Sequence, residues 1–143
     1  MASTESEVRA LLRRQSEAIE AKDLDRLISL YSADVVYFDV VPPLQYVGSA
    51  ALRDRFLTWF DGFQGPIGMD VRDLHISASG DIAIAHWLSR ARGTLTSGRE
   101  VGSWVRATSC CQRSGHRWLI THEHVSWPVD VATGGAALEL VPD

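Results

Sequence analysis

Two histidines stand two residues apart near the end of the chain, in the run Trp118-Leu119-Ile120-Thr121-His122-Glu123-His124-Val125-Ser126-Trp127-Pro128. Side chains alternate along a β-strand, so an unbroken strand sets Trp118, Ile120, His122, His124 and Ser126 on one face. That face begins apolar and ends in two imidazoles and a hydroxyl, which suits one wall of a cavity better than a plain core-facing strand. The imidazoles could exchange protons near neutral pH or be satisfied core or rim histidines. They could also form a metal pair if a third ligand, Asp39 or His86, joined them. Alternation puts Glu123 on the other side, toward solvent or an interface.

Other groups could work beside them. Trp104, Arg106, Thr108 and Cys110 share one face of the preceding strand, where the Arg106 fork could clamp a carboxylate or enolate oxygen. An ion pair between Arg106 and Asp39, or an outward-facing arginine, fits the same pattern. Asp39 shares strand parity with Tyr37 and Val41. In an apolar cavity its carboxyl would become a usable base; alternatively it accepts backbone N–H groups where Pro42-Pro43 ends the strand. Gln15 sits within an apolar helical stripe, and its amide must find partners or touch water. Trp59, with Phe60 and Phe63, reads either as core or as a platform for a ligand, and His75 and His86 read as structural.

These groups need elements to carry them. Thr4 and Glu7 form a capping-box pattern opening a helix, and Val8, Leu11, Leu12, Ala18 and Ile19 follow at helical spacing. Asp23 can cap a second, short helix carrying Leu24, Leu27, Ile28 and Tyr31. Val35 to Val41 is β-branched and aromatic, hence a strand. Gly48-Ser49 opens a third helix whose face runs Leu52, Phe56, Trp59, Phe60 and Phe63. The remainder reads as strands over about 69–78, 82–95, 100–111 and 116–129, separated by the turn formers Ser79-Gly80-Asp81, Ser97-Gly98 and Ser114-Gly115. Helices followed by long strands that must curl give an α+β fold, with three helices on one face of a strongly curved, mostly antiparallel sheet.

Composition narrows the function. The chain has 143 residues, 45% hydrophobic and 22% charged, with a formal net charge of -4. That fits one domain over residues 1–129 with a tail over 130–143, either disordered or carrying a short helix. The scattered basic residues argue against nucleic acid, and no apolar run could span a bilayer. The N-terminus, Met1 to Glu5, shows no signal peptide. Adjacent Cys110 and Cys111 cannot form an ordinary disulfide and lack the spacing of a zinc site, so a reducing, cytoplasmic setting is expected.

Several patterns resemble the NTF2-like superfamily, of the SnoaL-like and ketosteroid-isomerase-like type. They are Ala21-Lys22-Asp23-Leu24-Asp25, Leu30 to Val36, Gly48 to Arg53, and Trp118 to Pro128 in the form W-x-I-x-H-x-H-x-S-x-P. The resemblance implies a cone-shaped fold, no cofactor and no metal, and a homodimer through the outer face of the sheet. It places the isomerase's general base on Asp39 and its oxyanion tyrosine on Gln15. The isomerase's second oxyanion donor, a protonated carboxyl (a worked case for that enzyme), falls near Arg106 or Ala107, where no carboxyl stands. Steroid isomerisation itself is therefore not carried over. The expectation is an acid–base enzyme of isomerase, cyclase or dehydratase type acting on a hydrophobic oxygenated metabolite. Asp39, His122, His124 and Arg106 would be catalytic, with Gln15, Tyr37, Trp59, Trp104 and Thr108 binding the ligand. The rival readings are a non-catalytic small-molecule binding protein and a dimerisation module.

Overall fold

The structure, a computed structural model, describes residues 3–143; Met1 and Ala2 of the polar N-terminus lie outside it. The order is α1 (Thr4–Glu20), α2 (Leu24–Ile28), β1 (Tyr31–Phe38), β2 (Tyr46–Val47), α3 (Ser49–Asp61), β3 (Phe63–Ser79), β4 (Ile82–Leu95), β5 (Glu100–Ser114) and β6 (Arg117–Ser126). The strands form one mixed sheet in the order β2-β1-β6-β5-β4-β3. All neighbours are antiparallel except β1 and β6, which run parallel and bring the N-terminal and C-terminal parts of the chain side by side. The helices cover one face of this curved sheet; the other face is open.

Local signals explain most element ends. Ser3, rather than Thr4, caps α1, accepting from the Ser6 amide at 3.1 Å. Glu7 does not close a capping box but reaches across the fold to accept from Trp118 Nε1 at 2.8 Å, tying α1 to β6. Asp23 caps α2 through the Arg26 amide, as its type predicts. Phe63 is not part of α3; Gly62 ends that helix and Phe63 opens β3. The tail holds no helix: Val129 bridges Ala136 around a turn at Asp130–Gly135, and Arg72 donates to the Asp143 carbonyl oxygen at 3.1 Å.

The core lies between helices and sheet. Val8, Leu11, Leu12, Ala18 and Ile19 of α1, and Leu52, Phe56 and Phe60 of α3, meet Ala83, Ala85 and Trp87 of β4, Ala107 and Cys111 of β5, and Trp118 and Ile120 of β6. Small residues at the centre of the sheet let the helices approach closely. No helix among the described residues is long and apolar enough to cross a membrane.

One irregularity decides which residues see this core. Cys111 pairs with Ile120, but the next residue, Cys110, pairs with His122, so Thr121 is extra on β6. A bulge of this kind reverses alternation beyond it. Trp118 and Ile120 face the helices before the bulge; after it Glu123 faces them, while His122 and His124 turn to the open face. Replacing fully buried Leu11 by alanine should cost about 2–5 kcal/mol, read by urea unfolding; an unchanged midpoint would show that α1 is not seated in this core.

Candidate active site inside the cone

The bulge delivers a carboxyl to the core. Glu123 is 3% exposed, and its partners come from three separate elements. Gln15 Nε2, from the middle of the α1 stripe, lies 3.0 Å from Oε1 and 2.8 Å from Oε2. The Tyr31 hydroxyl, at the start of β1, donates to Oε1 at 2.9 Å and accepts from Gln15 Nε2 at 2.8 Å. Ser109 of β5, wholly buried, donates to Oε2. Gln15, whose apolar surroundings require a partner, thus finds two.

No salt bridge among the described residues reaches Glu123. A buried carboxylate facing only neutral donors lacks a countercharge, and burial raises its pKa above the ordinary carboxyl value. Hydrogen bonds from Ser109, Gln15 and Tyr31 and the charge of His122 oppose the shift without cancelling it. Burial likewise pushes the Tyr31 and Tyr37 hydroxyls well above the usual phenol range, with the Glu123 charge adding to both. Cys111 is pushed up to about 12, mainly by burial, and is inert as a nucleophile.

Around this polar centre lies an aromatic shell. Tyr31, Tyr37 and Phe56 pack edge-on or tilted at centroid distances of 5.6–6.4 Å, and Trp59 continues the series from Phe56 to Phe60 and Phe63. Asp39 lies just beyond β1, on the parity of Tyr37, with a side chain 8% exposed. Arg55 of α3 donates to its Oδ2 at 2.6 Å, and the Val40 amide donates to its Oδ1 at 2.6 Å. Asp39 thus accepts a backbone N–H at the end of the strand and is held by Arg55, at the edge of the aromatic shell.

The expected cavity wall of Trp104, Arg106, Thr108, His122 and His124 does not line the interior. Thr108 pairs with His124 and Cys110 with His122 on the open face, so the two strands err together. The inward positions on β5 are Ala107, Ser109 and Cys111. Arg106 donates to Ser126 Oγ at 3.1 Å rather than meeting Asp39, and Trp104 lies under the guanidinium of Arg90 at 5.2 Å. The imidazoles of His122 and His124 do not converge on a metal position. Each packs against the Phe38 ring, at 4.7 and 5.3 Å, and His122 Nδ1 donates to the Val36 carbonyl at 2.7 Å. No group of three or more His, Cys, Asp or Glu among the described residues could hold a metal ion.

Tyr31, Ser109, Arg55 and above all Glu123 were not legible as site residues. The signal for Glu123 would have been the alternation itself, had the bulge at Thr121 been visible. Two surface hollows, of about 550 Å³ beside Glu20, Ile67, Arg92 and Val101 and about 260 Å³ beside Ser32, Gln112 and Thr121, touch neither Glu123 nor Asp39. What the interior holds is a carboxyl and a phenol in hydrogen-bond contact, screened from water.

A SnoaL-like domain family model matches residues 8–130. A crystal structure of an NTF2-like protein of unknown function from Pseudomonas putida KT2440 is 32% identical, covers 99% of this chain and 100% of its own, and superimposes with a TM-score of 0.87. The chain belongs to the SnoaL-like family of the NTF2-like superfamily. A suggested dehydratase of the NTF2-like family from Streptomyces avermitilis (21% identity, 89% of this chain and 97% of its own, TM-score 0.77) shares the fold. So does a ketosteroid isomerase-like protein from Erwinia carotovora atroseptica SCRI1043 (16%, 88% and 97%, TM-score 0.75). None of the curated proteins compared matches the chain.

The raised Glu123 carboxyl leaves a mark on stability. Between the ordinary carboxyl value near 4.5 and the higher folded value, the folded state holds a proton that the unfolded state has lost. Stability contributed by this group therefore falls as pH rises through that window, by at most about 1.4 kcal/mol per pH unit. Glu123→Gln should flatten the decline, and unfolding curves from pH 4.5 upward check it. Parallel curves for the two proteins would contradict the raised carboxyl.

Proposed function

We propose that this protein is a cofactor-independent acid–base enzyme acting on a hydrophobic, oxygenated small molecule inside the cone. The observation that carries this reading is Glu123, a buried carboxyl held by Gln15, Tyr31 and Ser109 with no countercharge, where packing alone would favour an apolar residue. A protonated carboxyl in such a setting donates to a substrate oxygen as negative charge develops there, and Tyr31 relays or replaces the proton. Asp39 at the edge of the aromatic shell is the base, and Arg55 positions it. The proton-donor role expected of a histidine passes to Glu123, because both candidate histidines face away from the interior. Solved structures whose names point to dehydratase and ketosteroid-isomerase-like proteins share the fold, which supports the isomerase, cyclase or dehydratase range without selecting within it.

A second reading has its own support. Every polar atom of the Glu123 carboxyl already has a partner, and neither hollow reaches it, which favours a binding protein that opens for its ligand and returns it unchanged. The open sheet face, with Ile82 and Ile84 exposed on it, supports pairing with a second copy. The deciding experiment incubates the wild type, Glu123→Gln and Asp39→Asn with flat polycyclic ketones, lactones and aromatic acids, following product by mass spectrometry and binding by thermal shift. Turnover by the wild type, reduced about 10²–10⁴-fold in each variant while binding persists, is the expected result. Compounds that bind and are recovered intact from the wild type would establish the binding-protein reading instead.

A further inference from the structure

We propose that His75 and His86 form a two-imidazole chelate for a divalent transition metal of the zinc, copper and nickel class, on the open face of the sheet. The inference is independent of the acid–base reading, because these residues lie on the opposite side of the sheet from Glu123.

The juxtaposition is created by a second bulge. Arg72 of β3 pairs with Leu88 of β4, and straight continuation would set Leu74 opposite His86. Instead the register shifts between Arg72 and His75, so that His75 stands directly across from His86. The extra residue includes Asp73 at φ +58°, a left-handed conformation uncommon for a non-glycine residue. Bulges re-aim side chains, and this one places two imidazoles on neighbouring strands in contact, with ring centroids 5.2 Å apart and planes inclined by 32°. Both residues are exposed. Among the described residues the polar side-chain contact to these rings is Ser77 Oγ, 3.3 Å from His75 Nε2, and no acid or base side chain is bonded to either ring.

Directly opposed residues in an antiparallel pair have Cβ atoms about 4.5–5.5 Å apart. From that base, turning the two rings out of their tilted contact would aim one nitrogen of each at a shared ion, at the distance of imidazole–zinc bonds, about 2.0–2.1 Å. Imidazole suits zinc, copper and nickel and is a poor ligand for magnesium or calcium, which fixes the class of metal. Water completes the coordination. The second imidazole binds intramolecularly once the first is engaged, so the pair holds an ion far better than either alone. His122 and His124 provide an internal contrast: they too lie on this face, but the Phe38 ring packs against both, and His122 Nδ1 is committed to Val36.

The test uses the untagged full chain, with zinc binding followed by calorimetry and copper coordination by electron paramagnetic resonance at neutral pH. The expected result is saturable binding at or below one metal per chain, with a two-imidazole copper signature. His75→Ala and His86→Ala should each weaken zinc binding at least about tenfold, and His124→Ala should leave it unchanged. Circular dichroism of each variant confirms that the fold is retained, as exposed positions allow. Absence of saturable binding, or equal loss in His124→Ala, would overturn the proposal.

Discussion

The interior of this protein is organised around one unusual requirement: a carboxyl removed from water with no salt-bridge partner among the described residues. An isolated buried carboxylate is costly, and neutral donors offset only part of that cost. Glu123 meets it with Gln15 from α1, Tyr31 from β1 and Ser109 from β5, so the first helix and three neighbouring strands must all be in register for the group to be satisfied. The parallel pairing of β1 with β6 puts Tyr31 beside Ile120 and Tyr37 beside Glu123. Removing any donor exposes the carboxyl's remaining need, which makes the cluster a joint for the fold.

Much of the architecture could be read from the residues. The apolar spacing of α1, the Asp23 cap, the aromatic face of α3 and the glycine-containing turns between long strands are local signals, and they define an α+β cone. Gln15 could be singled out because a polar residue in an apolar stripe demands a partner. Glu123 could not. Alternation assigns every residue of an unbroken strand to a face, and one extra residue at Thr121 reverses the assignment for everything after it. The same reversal took His122 and His124 out of the interior; Trp104, Arg106 and Thr108 face outward without any bulge, because β5 alternates unbroken with Ala107, Ser109 and Cys111 inward. A bulge depends on pairing between strands, which no single stretch of sequence displays. Arg55 escaped notice for a related reason, since its partner Asp39 lies on a different element.

The two faces of the sheet thus carry different chemistry. The helix-covered face holds carboxyl and phenol groups in an aromatic shell. The open face holds four histidines, together with the Asp70–Arg90–Trp104 row; Arg92 and Arg90 hold the Asp70 carboxyl below the usual range. Bulges at Thr121 and Asp73 set the boundary between these populations, and each moves a titratable side chain to the face where it makes its contacts.

Glu123 faces the interior, and burial raises its carboxyl above the ordinary value. Infrared difference spectroscopy can read this directly, by following the carboxylic C=O stretch of the wild type minus that of Glu123→Gln as pH is raised. A protonated-carboxyl band that persists above the ordinary value near 4.5, and is missing from the variant, is the predicted result. A band that disappears together with those of the surface carboxyls would mean that Glu123 is solvated, and that the interior site described here does not exist.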